Sequence, residues 1–250
     1  MTRSSHAATR RLCAALACSL AVVPACHTSP PRPAAIVLFD GRSLDAFDTF
    51  VRTKGLNSDP DHVFRVEDGM VHVSGTEYGY FVTKRSFRDY RLHAEFRWGE
   101  GTFGNRAGKA RDSGILYHTQ GPDKVWPRSL ELQIQEGATG DFWMTDGAAV
   151  TGRDGTRVTG PPGTAKPIPR FGKGAWQDVA GYRDPNGDVE RPRGEWNDVE
   201  LVARGDTLRH YVNGKLVNEG VHPFPTEGKI VFQSEGAELY FRNITLYPFQ

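Results

Sequence analysis

Between Tyr90 and Trp98 every second residue is apolar: Leu92, Ala94, Phe96 and Trp98 alternate with Arg91, His93, Glu95 and Arg97. A period of two marks a strand with one face in a core and the other in water. Weaker versions of the same alternation predict strands at 114–119, 129–136, 199–204, 229–234 and 238–246. Two further runs contain hairpin turns: Asp68-Gly69 divides Val63–Val73, and Asn213-Gly214 divides Leu208–Val217. Both dipeptides tolerate the positive φ angles that a two-residue hairpin demands. From Ile36 onward no segment sustains an apolar 3.6-residue repeat over three turns, and there is no internal repeat. Many antiparallel strands in one mid-sized domain predict the all-β class, a two-sheet β-sandwich of the jelly-roll kind.

Composition supports this picture. The 28 Gly and 16 Pro among 250 residues exceed what a helical bundle tolerates and supply turns. Apolar residues at 38% and charged residues at 24% exclude a disordered chain and a multi-span membrane protein. Lys+Arg 31 against Asp+Glu 30 gives a net charge of +1, too balanced for a nucleic-acid binder that neutralises phosphates. Two stretches interrupt the strands, 99–111 and the Gly/Pro-rich 145–194. Loops of that length commonly rim or cover a functional site, with a plain surface insertion as the alternative.

The beginning of the chain has a different character. Arg3, Arg10 and Arg11 precede the apolar run Leu12–Val23 and then Pro24-Ala25-Cys26. A basic segment, a short apolar segment and a small residue before a cleavage point predict a signal peptide over 1–25. The run is shorter than the roughly 20 apolar residues of a membrane span. Val23-Pro24-Ala25-Cys26 resembles a bacterial lipobox, so Cys26 is the expected lipidation site, with plain secretion as the alternative. The expectation is an exported, lipid-anchored periplasmic or cell-surface protein that touches the membrane only through its anchor. A Pro-rich tether over 27–35 and a single domain over 36–250 would follow. Cys13, Cys18 and Cys26 all lie at or before the junction, so the domain must rest on its core rather than on disulfides.

Candidate chemistry concentrates in Ser129–Gly137. Leu130, Leu132 and Ile134 share the core parity, which sends Glu131, Gln133 and Gln135 to the opposite face. Glu136 falls on the apolar parity. A buried unpaired carboxylate is costly, so a β-bulge is expected to turn Glu136 outward and place Glu131, Gln133 and Glu136 in one cleft. The Glu-x-Gln-x-x-Glu spacing resembles the Glu-x-Asp-x-x-Glu of retaining glucanases of the laminarinase and lichenase type. Retaining enzymes use two carboxyl groups about 5–5.5 Å apart, one nucleophile and one acid/base. Gln133 stands where those enzymes have Asp, a departure that speaks against ordinary glycosidase chemistry. A merely solvated strand face is the plain alternative.

Upstream, Asp112, Gly114, Leu116 and His118 share one strand face, and His118 is a candidate base, electrophile or structural histidine. Trp126 and Arg128 precede the glutamate strand and are candidates for a cleft wall. Asp141 and Trp143 follow it; a carboxylate accepts sugar hydroxyls and an indole face stacks on a sugar ring, although a core position is equally open to Trp143. The chain has no Gly-rich phosphate loop, His-Glu-x-x-His, Cys-x-x-Cys or Gly-x-Ser-x-Gly. Asp184-Pro-Asn-Gly-Asp188 offers oxygen ligands without the EF-hand spacing, so no cofactor is assigned and Ca²⁺ or another divalent metal is left open.

Taken in order, Leu38-Phe-Asp-Gly-Arg-Ser-Leu44, Val66-Glu-Asp-Gly69, Asp112-Ser-Gly-Ile115, Glu195-Trp-Asn197, Val212-Asn-Gly-Lys215 and Tyr240-Phe-Arg-Asn-Ile244 span residues 36–248. This ordered set resembles the 3-keto-disaccharide hydrolase family, with Asp112 standing where the family commonly has Asn. The resemblance implies a concanavalin A-like jelly roll, export, and cleavage of glycosides already oxidised at C3. A C3 ketone acidifies the C2 proton, so a base, an enolate stabiliser and an acid for the leaving group suffice. Glu136 or Glu131 are candidates for the base, and Arg128 or His118 for the stabiliser. The carbohydrate is the expected partner. A lectin-like carbohydrate-binding module and an anchored adhesion domain are the competing classes.

Overall fold

The alternation at Tyr90–Trp98 becomes the centre of a β-sandwich in the computed structural model, which describes residues 1–2 and 34–249. The leader, Cys26 and most of the tether lie outside the described residues. Among the described residues no helix is long and apolar enough to cross a membrane.

One sheet has ten strands. Its order is β12 (Arg157–Thr159), β11 (Ala149–Gly152), β16 (Lys215–Phe224), β15 (Thr207–Val212), β14 (Asn197–Arg204), β7 (Tyr90–Thr102), β18 (Ala237–Pro248), β5 (Met70–Val73) and β4 (Phe64–Glu67), with β1 (Ile36–Phe39) also on β18. The second sheet has eight strands: β13 (Ala165–Ile168), β10 (Phe142–Thr145), β9 (Arg128–Gln135), β8 (Asp112–Gln120), β17 (Lys229–Ser234), β6 (Gly79–Thr83), β2 (Phe47–Val51) and β3 (Gly55–Leu56). Every pairing is antiparallel, as the hairpin signals require. Asp68-Gly69 and Asn213-Gly214 both adopt positive φ at their two residues, the geometry that matches strand twist. The expected all-β class and two-sheet jelly roll are the observed ones.

The core lies between the sheets. Leu92, Ala94, Phe96 and Trp98 of β7 meet Leu130, Leu132 and Ile134 of β9 and Phe81 and Phe232 from the middle of the second sheet. Phe81 stacks on Phe232 at 4.7 Å. A buried polar pair also lies here, with Tyr117 Oη 3.0 Å from His210 Nε2. The region 145–194, expected as a loop, contains the three short strands β11, β12 and β13 before it becomes irregular. The shorter loop holds one 3₁₀ turn, Gly104–Arg106.

Candidate functional site

The parity that buries Leu130, Leu132 and Ile134 turns Glu131 and Gln133 onto the outer face of the second sheet. Antiparallel register sets what lies beside them. Glu131 pairs with Leu116 of β8, and Leu116 with Val231 of β17. On the other side Glu131 pairs with Trp143 of β10, whose flanking Phe142 and Met144 belong to the core. Trp143 therefore stands next to Glu131 on the outer face. At the β6 side this face carries a second apolar cluster, Tyr80, Val82, Leu116 and Val231, with Phe50 stacked on Tyr80 at 5.0 Å.

Beyond that cluster the face turns polar and converges on three carboxyl groups. Asp112 opens β8, Glu131 lies in β9, and Glu235 follows β17. The Gln133 amide donates to Asp112 Oδ1 at 2.8 Å, and the Gln233 amide donates to Glu235 Oε1 at 3.1 Å. The Trp126 indole N–H also donates to Glu235 Oε1. Glu131 accepts no hydrogen bond from any described side chain. Only a glycine fits between these groups: a Cβ on Gly114 would stand 2.0 Å from Glu131 Oε1 and 2.4 Å from Gln233 Oε1.

Burial dominates the electrostatics. Glu131 is 6% and Glu235 8% exposed. Desolvation, then repulsion from Glu235, pushes Asp112 well above the usual carboxylate range, partly offset by the Arg106 charge. Desolvation and the charges of Glu235 and Asp112 push Glu131 well above it too. Glu235 is raised by desolvation against the opposing pull of the Trp126 hydrogen bond and Arg106. Three close carboxyls cannot all be ionised cheaply, so the cluster holds protons to higher pH than separate carboxyls would, an arrangement that suits paired acid and base chemistry.

Both irregular stretches reach this face. Arg106 lies 4.0 Å from Asp112 Oδ2 and pairs with Asp178 Oδ1 at 2.7 Å, which joins the 99–111 loop to the 169–196 segment beside the carboxyl cluster. Trp126 meets Tyr78 edge-to-face at 5.9 Å, and Tyr78 Oη donates to Asn105 Oδ1. Tyr78, Phe103, Asn105 and Trp126 line a pocket next to Glu235.

Asp112, Glu131, Gln133 and Trp143 are thus brought together, with Trp126 at the rim, whereas four other candidates go elsewhere. Glu136 does not enter the cleft. The β8–β9 register runs unshifted to Asp112 and Gln135, so no bulge in β9 flips Glu136; the chain turns there, with Ala138 N–H donating to Gln135 O, and the Glu136 carboxylate is 2.8 Å from Arg111 Nη1. Its Oε2 accepts from the backbone N–H of Arg111 and of Gly181. Its wrong parity is resolved by a buried ion pair rather than by a flip.

His118 leaves its expected face because a register shift falls between Tyr117 and Gln120. It is buried edge-on to Tyr90 and Tyr117, its Nδ1 is 3.0 Å from Pro225 O, and desolvation pulls its pKa down to about 4. It packs as a buried ring apart from the carboxyl cluster. Arg128 donates to Asp146 O at the exposed start of β9 and lies over Phe224, away from the carboxyls. Asp141 is 1% exposed and its two oxygens are engaged by Lys173 and the Arg170 backbone N–H, which keeps it from the surface where a sugar would bind.

The residues considered for a cation do not converge. Asp184 binds Arg170 and Asp188 faces Arg183, so each carboxylate already meets a guanidinium. On the outer face of the other sheet, ligand atoms of His93, Asp198 and Glu200 lie within 4.8 Å of one another, but Glu200 is also 3.1 Å from Arg91.

Sequence reasoning missed Glu235, Gln233 and Arg106. The signal for the first two was present: Val231, Gln233 and Glu235 share one parity, which becomes polar as β17 ends. Arg106 carried no signal, because its position comes from an irregular loop.

Solved structures show what this arrangement is similar to. Two proteins of Parabacteroides distasonis ATCC 8503 assigned as glycosyl hydrolases superpose with TM-scores of 0.55 and 0.54 at 19% and 20% identity. The matches cover 86% and 87% of this chain and 94% and 100% of theirs. LamAcat of Zobellia galactanivorans superposes with a TM-score of 0.50 at 8% identity, over 86% of this chain and 97% of its own. These likenesses share the jelly-roll fold. No match was found among curated proteins. The match over residues 34–247 to the family described as the 3-keto-alpha-glucoside-1,2-lyase-like domain covers nearly everything described, and the chain belongs to that family.

Proposed function

We propose that this protein cleaves glycosides bearing a ketone at C3, by acid/base elimination at the outer-face carboxyl cluster. The observation that carries the proposal is the convergence of Asp112, Glu131 and Glu235 in a buried setting that stabilises protons on some of them. One carboxylate removes the C2 proton, and the C2–H electrons pass into an enolate whose negative charge sits on the C3 oxygen. The enolate collapses to a C1=C2 double bond as the C1–O bond breaks. A protonated carboxyl supplies the hydrogen to the departing oxygen, and addition of water across C1=C2 completes a net hydrolysis. Arg106 is the cation beside the cluster and suits the enolate oxygen. Trp143 and Trp126 flank the carboxyls and offer faces to sugar rings.

The test compares a 3-keto-disaccharide with its unoxidised parent in D₂O. The expected result is product from the ketone alone, with a slower reaction for substrate deuterated at C2. Equal cleavage of the parent, or binding of the ketone without cleavage, overturns the proposal; the second outcome would leave a lectin. Export with lipid attachment at Cys26 is proposed alongside, supported by the basic and apolar leader. Cys26→Ser is expected to move the protein from the membrane to the soluble fraction, and a wild-type protein already soluble after fractionation contradicts it.

A further inference from the structure

Gln233 is 1% exposed and lies between two of the three carboxyl groups. Its Nε2 donates to Glu235 Oε1 at 3.1 Å. Its Oε1 is buried without any hydrogen-bond donor, and it and Glu131 Oε1 both lie against the space a Cβ on Gly114 would fill. An amide has one donating end and one accepting end. Placed between two carboxyls it satisfies an ionised one with its NH₂ and a protonated one with its carbonyl oxygen. Two ionised carboxylates would leave the carbonyl facing an anion. In either orientation of the amide, one of the pair must be an acid.

The surroundings decide which. Glu235 Oε1 accepts a second hydrogen bond from the Trp126 indole, and donors favour the anion. Glu131 receives no donor from any described side chain, so in its nearly buried position the anion has no protein hydrogen bond to stabilise it. Turning the amide around would point its carbonyl at an oxygen already held by the Trp126 N–H.

We propose that Gln233 is a positioning residue that assigns the proton within the site: Glu131 is kept protonated as the acid and Glu235 ionised as the base. A hydrogen bond from the Glu131 carboxylic acid to Gln233 Oε1 completes a relay from the Trp126 N–H through Glu235 and Gln233 to Glu131. Its place in catalysis rests on the reaction proposed above; the proton assignment itself does not. After one turnover Glu235 has gained the C2 proton and Glu131 has lost its own. Release of one proton and uptake of another, through water, restore the starting state.

The experiment is infrared spectroscopy of the carboxylic acid C=O stretch at pH 7 in wild type, Glu131→Gln, Glu235→Gln and Gln233→Met. The expected result is that Glu131→Gln removes one component of the wild-type protonated-carboxyl band, while those of Asp112 and Glu190 remain, and that Gln233→Met displaces the same component by loss of its hydrogen bond. A wild-type band left unchanged by Glu131→Gln overturns the assignment, as does loss of a component in Glu235→Gln. Because no substrate is needed, a failed cleavage assay with this band intact removes the reaction and leaves the proton assignment standing. Where Gln233→Met fails to fold, the wild-type and Glu131→Gln spectra still decide. With activity in hand, Gln233→Met is expected to narrow the pH profile of kcat/KM. Loss of the amide makes Glu131 easier and Glu235 harder to ionise, each limb moving by about half a pH unit to one unit. A lower rate with both limbs unmoved would reduce Gln233 to a structural role.

Discussion

Replacing Glu136 by glutamine separates a catalytic from a structural glutamate. The Glu136 carboxylate and the Arg111 guanidinium are 2.8 Å apart, and each side chain is 6% exposed. Removing one partner of such a pair typically costs about 3–5 kcal/mol, because the other charge stays buried. Glutamine keeps an acceptor for the Gly181 or Arg111 N–H, and Arg111 keeps its bonds to Gly99 O and Glu100 O, so the lower figure, about 3 kcal/mol, applies. In a domain of this size 1 kcal/mol moves Tm by about 2–4 °C, which puts Glu136→Gln roughly 6–12 °C below wild type. Differential scanning calorimetry measures the shift, and kcat/KM on a 3-keto-disaccharide is measured where the variant is still folded. Activity is expected to survive largely intact, and the double variant Arg111→Met/Glu136→Met should recover part of the Tm. An unchanged Tm combined with a loss of activity in the general-base range, about 10²-fold or more, would refute the placement of Glu136 outside the site.

Glu131→Gln and Glu235→Gln are each expected to lose about 10²–10⁴-fold in kcat. The raised Glu131 pKa favours the fold at low pH, and that stability is lost as pH rises through the folded value, so the Tm advantage of Glu131→Gln should grow from pH 5 to pH 8. Gly114→Ala should retain the sandwich and lose activity, because its methyl displaces the Glu131 and Gln233 oxygens; full activity would mean that the two do not meet there. His118 and His210 are pulled down to about 4 and about 3 from 6.5 by burial, so their contribution is intact above pH 6.5 and is lost as pH falls through those values. Calorimetric unfolding at pH 5 in buffers of different ionisation enthalpy should register about one proton less uptake in His210→Gln than in wild type, the protons released by the buried carboxyls being common to both; an unchanged value would contradict its burial as a neutral ring.

The sheets were readable in the sequence because alternation is a local property: the faces of Leu92 to Trp98 and of Leu130 to Ile134 follow from parity alone. Parity also placed Glu131 and Gln133 correctly. It failed at His118, where the ladder shifts register and the side chain follows the backbone rather than the count; at Glu136 it held, and the expected flip is absent because Arg111 pairs with the carboxylate in place. Glu235 was out of reach because its relation to Glu131 depends on which strand lies beside β8, and no local pattern states that β17 does. Arg106 and Asp141 were decided by partners in irregular segments, Asp178 and Lys173, that sequence spacing does not pair.

The strands that complete each sheet are synthesised after all the others of the sandwich. β17 lies between β8 and β6, and β18 between β7 and β5, so residues 229–248 supply an interior strand to both layers. A nascent chain ending at residue 228 has two sheets each split in half, with unpaired edges and Glu131 without Gln233 or Glu235. Vectorial synthesis therefore cannot bank a finished half-domain, and the closing contacts are among the longest in sequence. Stop codons placed before β17 should yield protease-sensitive chains of any length, with resistance and activity arriving together once β17 and β18 are both present.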